Sequence, residues 1–106
     1  MIKQVTTLNA STPATVLTPS LYCHQVTIQN NGSGVVRLSF DGGASYTDYI
    51  TGGTGTNPTT STGYKLASGA YVAQTYLGGK APPPIIGIME SSTTTLDITT
   101  DDTKST

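Results

Sequence analysis

The feature that most constrains this chain is a pair of strictly alternating segments with a glycine-rich break between them. In Cys23–Asn30, Val26 and Ile28 alternate with Gln25, Thr27 and Gln29, the period-two pattern of a strand with one buried face. In Val35–Phe40 the apolar set is Val36, Leu38 and Phe40, with Val35, Arg37 and Ser39 facing the other way. Asn31-Gly32-Ser33-Gly34 lies between them and is rich in residues that tolerate positive φ. The expectation is a β-hairpin. A loop of Asn31 to Ser33 pairs Ile28 with Val36, Val26 with Leu38 and His24 with Phe40, which keeps one face apolar. A two-residue turn would instead set Val26 opposite Arg37. Asp41, Gly42 and Gly43 then form a structural turn into Ser45–Ile50, which predicts a second hairpin in tandem with the first.

No segment shows a 3.6-residue apolar period. Short extended runs recur along the chain: Met1–Leu8, Thr15–Thr18 before Pro19, Tyr64–Leu66, Ala70–Leu77, the strongly apolar Ile85–Met89, and Thr95–Thr99 with Leu96 and Ile98 on one face. Thr51–Gly63 is the longest irregular stretch. This spacing predicts an all-β chain, an antiparallel β-sandwich of jelly-roll type with roughly seven to eight short strands. At 106 residues it is a single domain, and it is long enough to bury roughly 60–70% of its unfolded surface. Residues 1–20 are expected to form an N-terminal arm or edge strands, and residues 101–106 a polar tail.

Composition matters most for what it excludes. Charged residues are only 10% of the chain, and the net charge is −1. Such a chain has no basic patch with which to neutralise nucleic-acid phosphates, so nucleic acid is not an expected partner. No apolar run is long enough for a membrane helix, and Met1-Ile2-Lys3-Gln4 lacks the apolar core of a signal peptide. The expectation is a chain made in a cytoplasm and left unprocessed, with no membrane partner. Weak charge leaves little repulsion against self-association, which favours a homo-oligomer.

The residues that could carry chemistry do not assemble into a set. The single histidine, His24, is in phase with Val26 and Ile28 and reads as a partly buried packing residue. Cys23, beside it in the same strand, points to the opposite face. Glu90 and Asp97 could sit across a hairpin as paired carboxylates, and Asp41 with Asp48 could flank a cation, but no metal-loop spacing is present. The glycines of Thr51–Gly63 lack the lysine of a phosphate-binding loop. The expectation is a protein that is not an enzyme, with no catalytic residues, no cofactor and no metal. Tyr46, Tyr49, Tyr71 and Tyr76 form the candidate interaction surface, since tyrosine joins a large contact area to a polar end.

The octet Ser39-Phe40-Asp41-Gly42-Gly43-Ala44-Ser45-Tyr46 resembles the Asp-box of sialidase-like propeller blades, in which a carboxylate caps backbone N–H groups and does no catalysis. One copy supports a turn and carries no sialidase activity. Over about residues 20–100 the order of features is similar to small accessory proteins of tailed-bacteriophage virions. Val26-Thr27-Ile28-Gln29-Asn30 with its glycine turn, Val36–Gly43, Asn57–Gly69, the Ile-Ile-Gly-Ile strand and Thr93–Ile98 carry this resemblance. It implies a β-sandwich that decorates or cements a capsid, or attaches to a head vertex or tail. The partners would be the major capsid protein or other virion proteins, and the state a symmetric homo-oligomer, a trimer before other orders. The implied location is the virion. The segment Ala44–Thr56 reads as an insertion relative to similar sequences and as a candidate contact. The competing reading is a carbohydrate-binding module, with glycan stacking on Tyr46 and Tyr49.

Overall fold

A computed structural model describes residues 2–10, 12–20, 22–43, 55–76, 82–91 and 94–102. The strands, in chain order, are β1 (Ile2–Leu8), β2 (Ala14–Leu17), β3 (Cys23–Asn30), β4 (Val36–Ser39), β5 (Tyr64–Leu66), β6 (Tyr71–Thr75), β7 (Ile85–Met89) and β8 (Thr94–Asp102). They form two four-stranded sheets, ordered β1-β8-β3-β6 and β2-β7-β4-β5, and every pairing is antiparallel. The ladders join β1 to β8, β2 to β7, β3 to β6 and β4 to β5, as in one long hairpin rolled up on itself. Further pairings of β3 with β8 and of β4 with β7 complete each sheet. This is the double Greek-key order of a jelly roll.

The core lies between the sheets and consists of the inward positions of each strand. Val26 and Ile28 from β3, and Leu96 and Ile98 from β8, face Val36 and Leu38 from β4 and Ile85 and Met89 from β7, all essentially buried. The most apolar segment takes a central place. β7 is buried at all five positions between β2 and β4, and β8 runs between β1 and β3. The short strand β2 and the strand β1 form edges of the two sheets. β8 continues through Asp101 and Asp102, into the segment expected as a tail.

The tandem-hairpin expectation is corrected at its first hairpin. β3 and β4 do not pair; they lie in different sheets, and Asn31–Val35 arches from one to the other. The apolar faces agree with expectation, because Val26, Ile28, Val36 and Leu38 are all buried in the core. Alternation states which face of a strand is buried, however, and not which strand lies beside it. Facing the two apolar stripes across a sandwich buries both, whereas a flat hairpin leaves one broad face still to be covered. The second expected hairpin, into Ser45–Ile50, lies outside the described residues.

Two local expectations also change. Gly32 and Gly34 do not adopt positive φ; among the described residues the positive-φ glycines are Gly42, Gly43, Gly63 and Gly69. Gly32 is needed for close approach instead, since a Cβ there would overlap the Thr94 hydroxyl and lie 2.6 Å from Thr94 Cβ. His24 is exposed rather than packed. The β3–β8 register slips between Cys23 and Gln25, and this bulge takes His24 out of phase with Val26 while Cys23 stays buried.

Candidate interaction surface

The strand directions sort the loops to two ends of the sandwich. One end is closed by Asn30, the last residue of β3, which is fully buried. Its Nδ2 donates to the carbonyls of Gly34 (2.7 Å) and Leu66 (3.1 Å). Its Oδ1 accepts from the Gly32 N–H (3.0 Å) and the Thr94 hydroxyl (3.3 Å). Its backbone pairs with Ala70 and Gly69. One residue therefore ties the β3–β4 arch, the end of β5, the β5–β6 turn and the start of β8. The Ser68 hydroxyl adds a bond to the Gly32 carbonyl (2.6 Å). This end is a cap tied by hydrogen bonds.

The other end holds the turn after β4. Asp41 Oδ1 accepts from the Ser39 hydroxyl and from the Thr56 N–H (3.1 Å). Burial raises the Asp41 pKa, but bonds from the Ser39 hydroxyl and the backbone N–H groups of Thr56, Gly43 and Asp41 itself outweigh it, and the carboxyl sits below its usual value. Gly42 and Gly43 take φ of 92° and 71°, which few other residues tolerate. Gly55 packs so closely on this turn that a Cβ would overlap the Asp41 carbonyl oxygen and lie 2.6 Å from that of Gly43. The chain thus leaves at Gly43 and returns at Gly55 through a narrow neck. Beyond it, the Thr59 hydroxyl accepts from the N–H groups of Ser61 (3.2 Å) and Thr62 (3.0 Å). Arg37, ion-paired to Glu90 at 2.7 Å, donates to the Gly63 carbonyl at 3.3 Å. Much of the expected irregular stretch is therefore fixed in place.

This cap predicts a pH dependence. Because the folded pKa of Asp41 is depressed, its contribution to stability is present above the usual value of 3.8 and is lost as pH falls through the lower folded value. Thermal unfolding midpoints measured from pH 2 to 5 are expected to show this acid loss in the native chain and a smaller one in Asp41→Asn.

The four candidate tyrosines do not form one platform. Tyr46 and Tyr49 lie outside the described residues, in the segment that the neck closes. Tyr71 opens β6, Tyr76 directly follows it, and the two point to opposite faces. Tyr71 is 69% exposed on the outer face, whereas Tyr76 packs against the core. The Tyr76 hydroxyl is buried and has no hydrogen-bond partner among the described residues. Burial first, and then the charge of an ionised Cys23, push its pKa up to about 12. As pH rises from 10.0, its ordinary value, towards about 12, the unfolded chain releases the proton first, so stability falls across that window. Tyr76→Phe is expected to remove that alkaline loss and to raise the thermal midpoint at neutral pH, because a buried hydroxyl without a partner costs about 1–3 kcal/mol.

Sequence reasoning passes over Tyr64, which is 49% exposed and meets Phe40 edge-on with ring centroids 6.0 Å apart. The signal is its place at the start of β5, directly opposite Leu38 across the β4–β5 ladder. The outer face of the β1-β8-β3-β6 sheet presents Thr27, Gln29, Thr99, Asp97, Ala73 and Tyr71 in register, all exposed or half-buried. Of these six residues only Asp97 carries a charge.

The groups with reactive potential are scattered. Glu90 is engaged by Arg37. Asp97 lies in β8, in the other sheet from β7, so the two carboxylates do not share a hairpin. Cys23 is buried, with its thiol directed at the Gln25 carbonyl. Among the described residues no three His, Cys, Asp or Glu side chains gather where they could hold a metal ion. Compared with family models, with curated proteins and with solved structures, the chain matches none.

Proposed function

We propose that this chain is a non-enzymatic structural protein of a tailed-phage virion that decorates or cements the capsid through symmetric, many-copy contacts. The observation that carries this reading is how the polar groups are used. Asn30, Asp41, Arg37, Glu90 and Thr59 all serve to tie loops, and what they leave outside, among the described residues, includes a weakly charged face of threonine, glutamine and tyrosine. Such a face has the means to adhere. The jelly roll is shared with viral capsid domains, which supports the reading by analogy of fold. Affinity would come from modest contacts multiplied over many copies. Sedimentation of the purified chain with isolated capsids of the phage that encodes it tests the reading. Saturable co-sedimentation is expected, and a chain that stays in the supernatant at micromolar concentration overturns it.

A second reading, a carbohydrate-binding module, draws on the exposed rings of Tyr64 and Tyr71 and on the use of the same fold by lectins. A glycan array separates the two. Binding that is lost in Tyr46→Ala or Tyr64→Ala favours the module, and an empty array leaves the structural role.

A further inference from the structure

The sandwich has four edge strands, and three of them carry devices that discourage pairing with another chain. β2 has four residues and is flanked by Pro13 and Pro19. β5 has three residues and contains Lys65. β1 contains Lys3. The fourth, β6, reads Tyr71-Val72-Ala73-Gln74-Thr75, five residues with no charge, no proline and no glycine.

The register of β6 on β3 decides which backbone groups it offers. Asn30 N–H donates to the Ala70 carbonyl (2.9 Å), and Tyr76 N–H donates to the His24 carbonyl (2.8 Å). Residues 70 and 76 are thus bonded positions of the ladder, and by alternation so are Val72 and Gln74, opposite Ile28 and Val26. The N–H and C=O groups of Tyr71, Ala73 and Thr75 therefore point away from β3, and no described strand takes them up.

We propose that β6 pairs antiparallel with β6 of a second copy of this chain, about a two-fold axis midway between the two Ala73 residues. That axis sets Ala73 opposite Ala73 and Tyr71 opposite Thr75, so every outward N–H meets an outward C=O. A shift by one residue would match outward groups with inward ones, so the strand is complementary to itself in this register. No like charges meet, since the strand has none. The two sheets then join into one continuous sheet, and each Tyr71 ring covers Thr75 of the partner subunit. The contact is only about 17 Å long, less than a standard interface of ~1,200 Å² needs. Pairing is therefore weak in dilute solution and grows where copies are concentrated, as on a particle. This rests on the proposed function and deepens its oligomeric part by assigning one two-fold contact. Its test runs on the purified chain, so a failure to pair and an absence from particles are separate results.

Ala73→Pro tests it selectively, because no described strand takes up the N–H that proline removes. The native protein is expected to show concentration-dependent dimerisation by analytical ultracentrifugation up to about 1 mM. Ala73→Pro and Ala73→Lys are each expected to weaken it at least tenfold while keeping a cooperative unfolding transition. A second measurement holds even if the proline variant folds poorly. Ala73→Cys places two thiols on Cα atoms about 5.5 Å apart, within reach of a short bifunctional thiol crosslinker. Tyr71→Cys places them about 13 Å apart along the strand, and Cys23 is buried. Dimer bands from Ala73→Cys but not from Tyr71→Cys support the pairing. A native chain that stays monomeric throughout, an oligomer unchanged by Ala73→Lys, or equal crosslinking from both positions overturns it.

Discussion

Asn30→Asp is expected to lower the stability of this protein by about 3–5 kcal/mol at neutral pH, a fall in thermal midpoint of roughly 15 °C or more for a domain of this size. The substitution keeps the shape of the side chain and removes both N–H donors. A carboxylate then faces the Gly34 and Leu66 carbonyls, which Asn30 holds at 2.7 and 3.1 Å in a fully buried site. Three acceptors would converge with no donor between them, and the charge would have no water to solvate it. The sign of the pH effect follows. A protonated carboxyl regains one donor, so the gap between variant and native protein should narrow on acidification. Asn30→Leu provides the contrast: it also leaves the Gly32 N–H and the Thr94 hydroxyl without their acceptor, and its loss should not depend on pH. Chemical unfolding at pH 4 and pH 7 measures both.

Gly55→Ala is expected to cost about 2–3 kcal/mol, at the upper end for adding one methyl group to a packed site. The new Cβ meets the carbonyl oxygens of Asp41 and Gly43. These are backbone atoms, which cannot swing aside like the end of a side chain. Relief requires the neck to open, and that pulls the Thr56 N–H from Asp41 Oδ1. Hydrogen exchange should therefore show faster exchange at Thr56 and Gly43, with little change at Asn30 and Gly69 on the other end. Gly69→Ala is a useful comparison. Its φ is 77° and a Cβ added there would meet nothing within 4 Å, so only backbone strain of about 1–2 kcal/mol applies. If the segment between Gly43 and Gly55 touches the capsid, Gly55→Ala should also weaken co-sedimentation, which Gly69→Ala should not do.

The two ends of the sandwich show what one-dimensional pattern can and cannot deliver. The alternation of Val26, Ile28, Val36, Leu38, Leu96 and Ile98 identifies the buried faces, because a strand's inward side is a local property. Ile85–Met89 can be assigned to a central strand because it is apolar at nearly every position. Strand neighbours are not legible in the same way. β3 meets β6 and β8, which lie more than 40 residues away in the chain, and nothing in the Asn31–Gly34 break tells an arch from a hairpin turn. The glycines there look like turn residues, yet Gly32 is set by Thr94, a residue distant in sequence.

Asn30 is hidden for the same reason. At the end of an alternating run it reads as a polar boundary residue, and its four side-chain bonds depend on loops that only the rolled topology brings together. Tyr71 and Tyr76 look equivalent as strand tyrosines. Their odd and even places, at the start of β6 and just past its end, separate them into an exposed ring and a core-packed one. Asp41 is the most legible of the functional candidates, because a carboxylate capping a glycine turn is largely a local arrangement, although its bond to Thr56 spans the neck.

The proposed role rests on adhesion in many copies. Quantitative mass spectrometry of purified virions, scaled to the major capsid protein, tests that most directly. The expected result is a fixed ratio of this chain to capsid subunits, reproducible between preparations and kept through density-gradient purification. A chain missing from intact particles, or present at a ratio that falls with each purification step, would contradict it.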